Sequence, residues 1–335
     1  MTKFIAGFFD KKTLVEVGHD AWQTLYKGAL NDDDVLERAN NHIIRIINAD
    51  PIGGAQIAAH LLLPDQFTGT LAAGRWVDQG LPTYRLGHKR VAALMATHTP
   101  VELADQVQAP FKAFFIEMPT GLLHITEEDG TKIEVKGIIV HVTHYEKAQY
   151  GIQSARINRP LWNWMAVTGT KLVQWQINRT TQELCTSGSL KHDNVWGEAF
   201  SLELTDYDHR VADLINRFIS ALCLLVTSHK EEITEKREIR REKGKRLRMK
   251  KEPEFRVFTM TSNVFVDARS ALENYLSGRR PTTPSVQFLV RGHWRNQAHG
   301  VARALRKLMW IEPHWKGPDS GLIASRAYEV NEEGA

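Results

Sequence analysis

The sequence predicts an α+β protein with a helical N-terminal region, a central mainly antiparallel sheet and a strand-rich basic C-terminal element. Apolar residues recur at three- and four-residue steps near the N-terminus and again from Asp206, a spacing typical of amphipathic helices. Short apolar and aromatic runs between residues 111 and 204 indicate strands. The length of 335 residues and the 42% share of hydrophobic residues suit about two folded domains and exclude a mostly disordered or collagen-like chain.

The N-terminal region, residues 11–62, is predicted to be helical. Asn31 is placed to cap a helix whose first turn contains Asp32, because a side-chain oxygen there can accept from the free amides of the first turn. A break at residues 50–54 precedes a predicted short helix, Ala55–Leu63, and another helix is expected over His88–His98. The glycine pair at 53–54 is interpreted as a turn, since it lacks the further glycines or lysine of a phosphate-binding loop.

The middle of the chain is predicted to form the antiparallel sheet. Phe111–Met118 has the composition of a buried strand, and Asp129-Gly130 is a hairpin signal between two apolar runs. We expect Leu172–Ile177 to pair with a strand at Glu183–Cys185. The long apolar helix that begins at Asp206 then closes this region.

The remainder of the chain begins with Lys230–Lys251, which is so rich in charge that we expect a solvated helix, a linker or a contact surface. A strand at Phe255–Met260 and a helix at Asp267–Leu276 follow, and two apolar runs, Val286–Val290 and Leu308–Ile311, complete the pattern. The predicted organisation is a helical region over 1–108, a sheet with its apolar helix over 109–228, a charged helix or linker over 229–253, and a basic, tryptophan-rich element over 254–335.

Charge is distributed unevenly along the chain. The net charge is +4, yet residues 230–251 have a net charge of +6 and residues 279–316 of +7, so the rest of the chain is acidic at −9. A basic C-terminal third suits a polyanion or an acidic protein surface as partner. Within the first basic stretch the cations concentrate at its end, where Lys243, Lys245 and Arg246 form a candidate nucleic-acid-binding arm.

Cellular context is constrained by cysteines and by hydropathy. The only cysteines, Cys185 and Cys223, show neither metal-binding spacing nor a disulfide framework, which favours the reducing cytoplasm. The apolar run Phe4–Phe9 is shorter than a signal-peptide core. Since Phe218–Val226 is also much shorter than a bilayer span, no membrane contact is expected.

The C-terminal block, residues 285–317, has the composition of a binding site, because two predicted apolar strands each end in a cluster of Arg, His, Trp and Lys. Aromatic faces can stack on bases while cations bind phosphates; the alternative is that the tryptophans are packing anchors and the cations form a solvated rim. The candidate nucleic-acid-binding residues in this block are Arg291, His293, Trp294, Arg295, Gln297, Arg303, Arg306, Trp315 and Lys316.

One segment of this block resembles a known group of proteins. The motif VRGHWRNQ, then a glycine and a basic stretch, then WIEPHWKG, is similar to the C-terminal signature of an uncharacterised group found in phages, plasmids and integrated elements. The resemblance covers residues 284–318. It implies a phage or mobile-element accessory protein and carries no catalytic assignment.

Three functions follow from these residues as alternatives. The first is a cytoplasmic accessory protein that binds nucleic acid, DNA or RNA, through the C-terminal block. The second is a metal-independent nuclease in which His293 or His314 performs acid–base catalysis. The third is a module that inhibits or redirects a host protein, because Trp and Arg also serve as interface hot spots. No cofactor or metal is expected, since His141 and His144 would point to opposite faces of a strand.

Overall fold

The computed structural model describes residues 11–55, 64–97, 99–126, 130–147, 156–169, 172–185, 206–239, 253–260, 272–273, 276–277, 288–290 and 292–316. Its helices are α1 (Lys11–Ala21), which continues into a π-helical turn at Trp22–Tyr26, α2 (Asp32–Ala49), α3 (Pro64–Asp78), α4 (His88–Met95), α5 (Thr181–Cys185) and α6 (Asp206–Ser228). The predicted cap of α2 is confirmed, because the Asn31 side chain accepts a 2.9 Å hydrogen bond from the Asp34 amide.

Thirteen strands lie in the described part of the chain. They are β1 (Pro82–Arg85), β2 (Ala113–Glu117), β3 (His124–Thr126), β4 (Lys132–Glu134), β5 (Gly137–His144), β6 (Pro160–Val167), β7 (Leu172–Thr180), β8 (Ile233–Ile239), β9 (Glu254–Met260), β10 (Phe288–Val290), β11 (His293–His299), β12 (Leu305–Ile311) and β13 (His314–Lys316).

Seven strands form the central sheet, in the order β7-β6-β5-β2-β1-β9-β8. Strand β1 is parallel to both β2 and β9, and the other neighbours are antiparallel. The predicted α+β class with a mainly antiparallel sheet is therefore confirmed. The remaining strands form three two-stranded pairs, β3–β4, β10–β13 and β11–β12.

Helices cover both faces of the sheet. On one face α1 and α3 pack on β2, β5 and β9, where Trp76 stacks on Phe115 with ring centroids 5.4 Å apart. Gly18 of α1 permits the close packing of α1 on α3, because a Cβ there would lie 2.5 Å from the Ala73 carbonyl oxygen of α3. On the other face α4 and α6 cover Phe114 and Trp164, forming the larger core. Burial of each large side chain contributes roughly 1.5–3 kcal/mol.

Helix α6 is the central helix of that core. Its stretch Arg210–Ser228 is long and apolar enough to cross a membrane by length and composition, yet 83% of it is buried inside the protein. Trp164 donates a 2.8 Å hydrogen bond to the Asn216 side chain, which gives this helix a polar attachment to β6. Burial of this extent is the environment of a core helix in a globular protein.

The segment predicted as a strand at Glu183–Cys185 is instead part of helix α5. Thr180 and Glu183 form a reciprocal cap: the Thr180 amide donates to the Glu183 carboxylate at 2.6 Å, and the Glu183 amide donates to the Thr180 hydroxyl at 3.3 Å. This arrangement starts a helix. Strand β7 pairs with β6 alone among the described strands.

The charged stretch Lys230–Lys251 also differs from expectation where it is described. Residues 233–239 form β8, the edge strand of the sheet among the described strands, rather than a helix or linker. Because an edge strand of this kind leaves most of its side chains in solvent, its sequence lacks the apolar alternation that usually reveals a strand. Strand β9 confirms the prediction at Phe255–Met260, whereas most of Ala55–Leu63 and of Asp267–Leu276 lies outside the described residues.

Candidate functional site: the C-terminal hairpin

Strands β11 and β12 form an antiparallel hairpin, residues 293–311, which we call the C-terminal hairpin. Trp294 lies opposite Trp310, and His299 lies opposite Leu305 next to the turn. The turn has three residues with positive φ, Gly300 at 79°, Ala302 at 52° and Arg303 at 57°. Glycine adopts this conformation without steric cost, so Gly300 is suited to begin the turn.

The two tryptophans anchor the hairpin to the helical layer. Trp294 and Trp310 are 7% and 8% exposed and belong to the core formed with α4 and α6. The Trp310 indole donates a 3.2 Å hydrogen bond to the Thr97 hydroxyl. Gly292 permits the approach, because a Cβ there would lie 2.5 Å from that hydroxyl oxygen. The hairpin base is therefore fixed by packing.

A buried cation lies beneath the hairpin. Arg90 of α4 is 4% exposed, and its guanidinium carbon lies 5.6 Å from the centroid of the Trp310 ring. Burial lowers the Arg90 pKa, and the carboxylates of Glu312 and Glu232 oppose that shift. Burial likewise raises the pKa of Glu312. Both the indole and the carboxylates thus stabilise a charge that the fold has taken from water.

Cations and apolar side chains are exposed together along the rest of the hairpin. On the strand face away from the tryptophans, Arg295 lies opposite Met309 and Gln297 lies opposite Lys307. The exposed cations of the hairpin are Arg295, Arg303, Arg306 and Lys307, and its exposed apolar side chains are Val301 at 93%, Leu305 at 58% and Met309 at 36%. The hairpin tip is therefore both basic and apolar.

The other predicted residues of the block lie on a separate strand pair or outside the described residues. Strand β10 pairs with β13, where His314 opposite Val290 and Lys316 opposite Phe288 are both exposed. The side chain of Trp315 and the whole of Arg291, Lys243, Lys245 and Arg246 lie outside the described residues. The structure thus brings Arg295, Gln297, Arg303 and Arg306 together on one hairpin, with His293 at its base.

The histidines do not gather around a common centre in the part of the chain that the structure describes. His293 and His299 occupy opposite ends of β11, about 20 Å apart at the usual strand rise. His141 is buried and His144 is exposed, as expected for strand positions three apart. No group of three or more His, Cys, Asp or Glu that could hold a metal occurs among the described residues.

The structure also shows buried polar groups that the sequence reasoning missed. Asp32 forms ion pairs with Arg75 and Lys112 and accepts the His144 amide at 2.8 Å, which fixes α2 to the end of β5. Burial lowers the pKa of the neighbouring His141 to about 3, so this imidazole is neutral at physiological pH. The nearest sequence signal is the run of three aspartates at the start of α2, but acidic residues are common in the first turn of any helix.

With this geometry in view, comparison with known proteins identifies the class. The chain matches the model of the AcrVA2-like family, described as the anti-CRISPR type V subtype A2 family, over residues 84–317. That range begins within β1 and ends just after β13, so it includes most of the sheet and the whole C-terminal hairpin. The protein is therefore an accessory protein of the kind carried by phages and mobile elements, as the C-terminal motif implied. It belongs to the AcrVA2-like anti-CRISPR family.

A solved structure is also similar. The crystal structure of AcrVA2 matches with a TM-score of 0.46 at 14% sequence identity, over 91% of this chain and 94% of that one. No curated protein sequence matches this chain.

Proposed function

We propose that this protein inhibits type V CRISPR immunity by binding a protein component of the host through its C-terminal hairpin. One observation carries the proposal: within the stretch that matches the anti-CRISPR family, a hairpin anchored by two buried tryptophans displays cations beside exposed apolar side chains. Anchoring matters because a rigid element loses less conformational entropy when it binds.

A protein partner suits this surface better than a bare nucleic acid. Trp294 and Trp310 direct their rings into the core, so neither indole of the hairpin is available for stacking on a base. Leu305 and Met309 give the hairpin apolar area, and arginine and methionine are enriched where protein partners meet. An acidic protein surface with an apolar depression matches this combination.

Nucleic-acid binding is the second candidate, and the charge of the hairpin favours it. The exposed cations, with Lys316 nearby in sequence, could contact a phosphate backbone. CRISPR effectors contain a guide RNA, so both chemistries are present in one host complex. Phosphate contacts would make affinity fall steeply with salt, with a log–log slope of about −0.7 per phosphate on single strands.

Capture of the host component distinguishes the two candidates. Tagged protein is expressed in cells that carry a type V system, and the variant Arg303→Glu/Arg306→Glu is compared with wild type. Loss of hot-spot contacts of about 2 kcal/mol predicts about 30-fold weaker capture by the variant. Under the proposal, the captured component is a protein of the type V system and survives nuclease treatment.

The matched control reverses the charge of two exposed arginines that are distant in sequence from the hairpin, Arg45→Glu/Arg159→Glu. Equal loss in this control would show a nonspecific charge effect and reject the hairpin as the contact. Capture that disappears with nuclease and follows the salt slope would replace the protein partner with nucleic acid.

A further inference from the structure

Strand β8 ends the central sheet among the described strands, and its residues are exposed or partly exposed. Its sequence is Ile233-Thr-Glu-Lys-Arg-Glu-Ile239. The residues Glu235, Lys236 and Arg237 are exposed, and Ile239 is 54% exposed. Such a strand can pair with a further strand, and the pattern of its side chains indicates which strand.

The side chains of β8 are complementary to those of a second copy of β8 that runs antiparallel to it. When two copies pair antiparallel about Lys236, each Ile233 lies opposite an Ile239, and each Glu235 lies opposite an Arg237. Directly opposite apolar and opposite-charge pairs both stabilise an antiparallel ladder. The remaining pair, Thr234 opposite Glu238, is polar on both sides. Only the central Lys236 therefore lies opposite a residue of like charge.

The central lysine also finds a partner in this register. Lys236 lies opposite its own copy, which is unfavourable for like charges. However, Glu238 of the other copy is its diagonal neighbour on the same face, within reach of a long side chain. The lysine stem can bend toward that carboxylate while its charge stays in water.

Contacts within one copy already position the two carboxylates. Arg256 donates to Glu235 at 2.7 and 3.2 Å. Arg85 donates to Glu238 at 2.9 and 3.1 Å. Because these side chains are held before docking, pairing loses less side-chain entropy.

We propose that two copies of this chain associate through β8, which pairs antiparallel with its copy and continues the seven-stranded sheet across the interface. The proposal is independent of the proposed anti-CRISPR function, because β8 and the C-terminal hairpin are different surfaces. It assigns the partner of the exposed edge as a second copy of the chain.

Charge reversal with rescue in trans tests this interface. Arg237→Glu alone places glutamates opposite each other twice, and Glu235→Arg alone places arginines opposite each other twice. We expect each variant to dimerise about tenfold or more weakly than wild type. An equimolar mixture restores both opposite-charge pairs and should form a heterodimer with an affinity close to that of wild type.

Sedimentation equilibrium over roughly 1–100 μM measures these affinities, and circular dichroism checks that each variant is folded. The control Arg303→Glu/Arg306→Glu changes the hairpin and should leave dimerisation unchanged. A monomeric wild type over this range, dimers insensitive to both reversals, or a mixture no tighter than the single variants would each overturn the proposal.

Discussion

At the scale of single residues, a short ion-pair chain connects α1 to the sheet. Lys11 contacts the Glu117 carboxylate at 2.7 Å, and Arg85 binds both Glu117 and Glu238. Hydrogen bonds from Arg85 and the charge of Lys11 outweigh burial and hold the Glu117 pKa at about 2, below its ordinary value of 4.5. Glu117 is thus stabilised in its charged form, which makes folding depend on pH.

This network predicts a defined pH dependence for Glu117→Gln. A carboxylate with a lowered folded-state pKa contributes stability above about pH 4.5 that is lost as pH falls toward 2. The variant should therefore unfold more easily than wild type at pH 7, by about 2 kcal/mol, and the difference should shrink across that acidic window. Urea titrations at several pH values measure it, with the exposed Glu37→Gln as control. A difference that does not change with pH would contradict the assigned role.

At the scale of elements, the C-terminal hairpin depends on Trp310. Its indole is buried against Thr97 and Arg90, so Trp310→Ala should lower the free energy of unfolding by about 3–5 kcal/mol. Trp310→Phe keeps most of the packing and leaves the Thr97 hydroxyl without the indole donor, a cost of about 1–2 kcal/mol. Chemical denaturation gives both values. If Trp310→Ala were as stable as wild type, the hairpin would not be anchored as described.

Many of the helices and strands could be predicted from the sequence, and the failures have physical causes. Helix α2 was predictable because the cap at Asn31 and the apolar spacing are local signals. Helix α5 was missed because its five residues contain too few apolar positions to show a period, so only the cap at Thr180 indicates it. Strand β8 was missed because its partner strand, not its own composition, makes it a strand.

The same distinction applies to the candidate site. Arg295, Arg303 and Arg306 were among the binding residues predicted from the sequence, whereas the exposed Lys307 beside them was not. The groups that anchor the hairpin were not predicted, because Thr97 and Trp310 are 213 residues apart in the chain and only the fold brings them together. The sequence left open whether the tryptophans bind a partner or the core, and burial assigns Trp294 and Trp310 to the core.

At the scale of the whole molecule, positive charge is concentrated in the C-terminal region, where the C-terminal hairpin is also packed against the core. The chain outside the two basic stretches is acidic, so it leaves the C-terminal region as the positive part of the protein. The central sheet and α6 form the core on which the hairpin base is packed. The range over which the chain matches the AcrVA2-like anti-CRISPR family includes this hairpin.

Protection of a targeted plasmid tests this account most directly. Cells with an active type V system are transformed with a plasmid that the guide RNA matches, with and without the protein. We expect wild type and Arg45→Glu/Arg159→Glu to restore transformation, and Arg303→Glu/Arg306→Glu, at equal expression, to restore little. If the wild type gave no protection, the proposed inhibition would be contradicted. If the hairpin variant protected as well as wild type, the hairpin would not be the inhibitory surface.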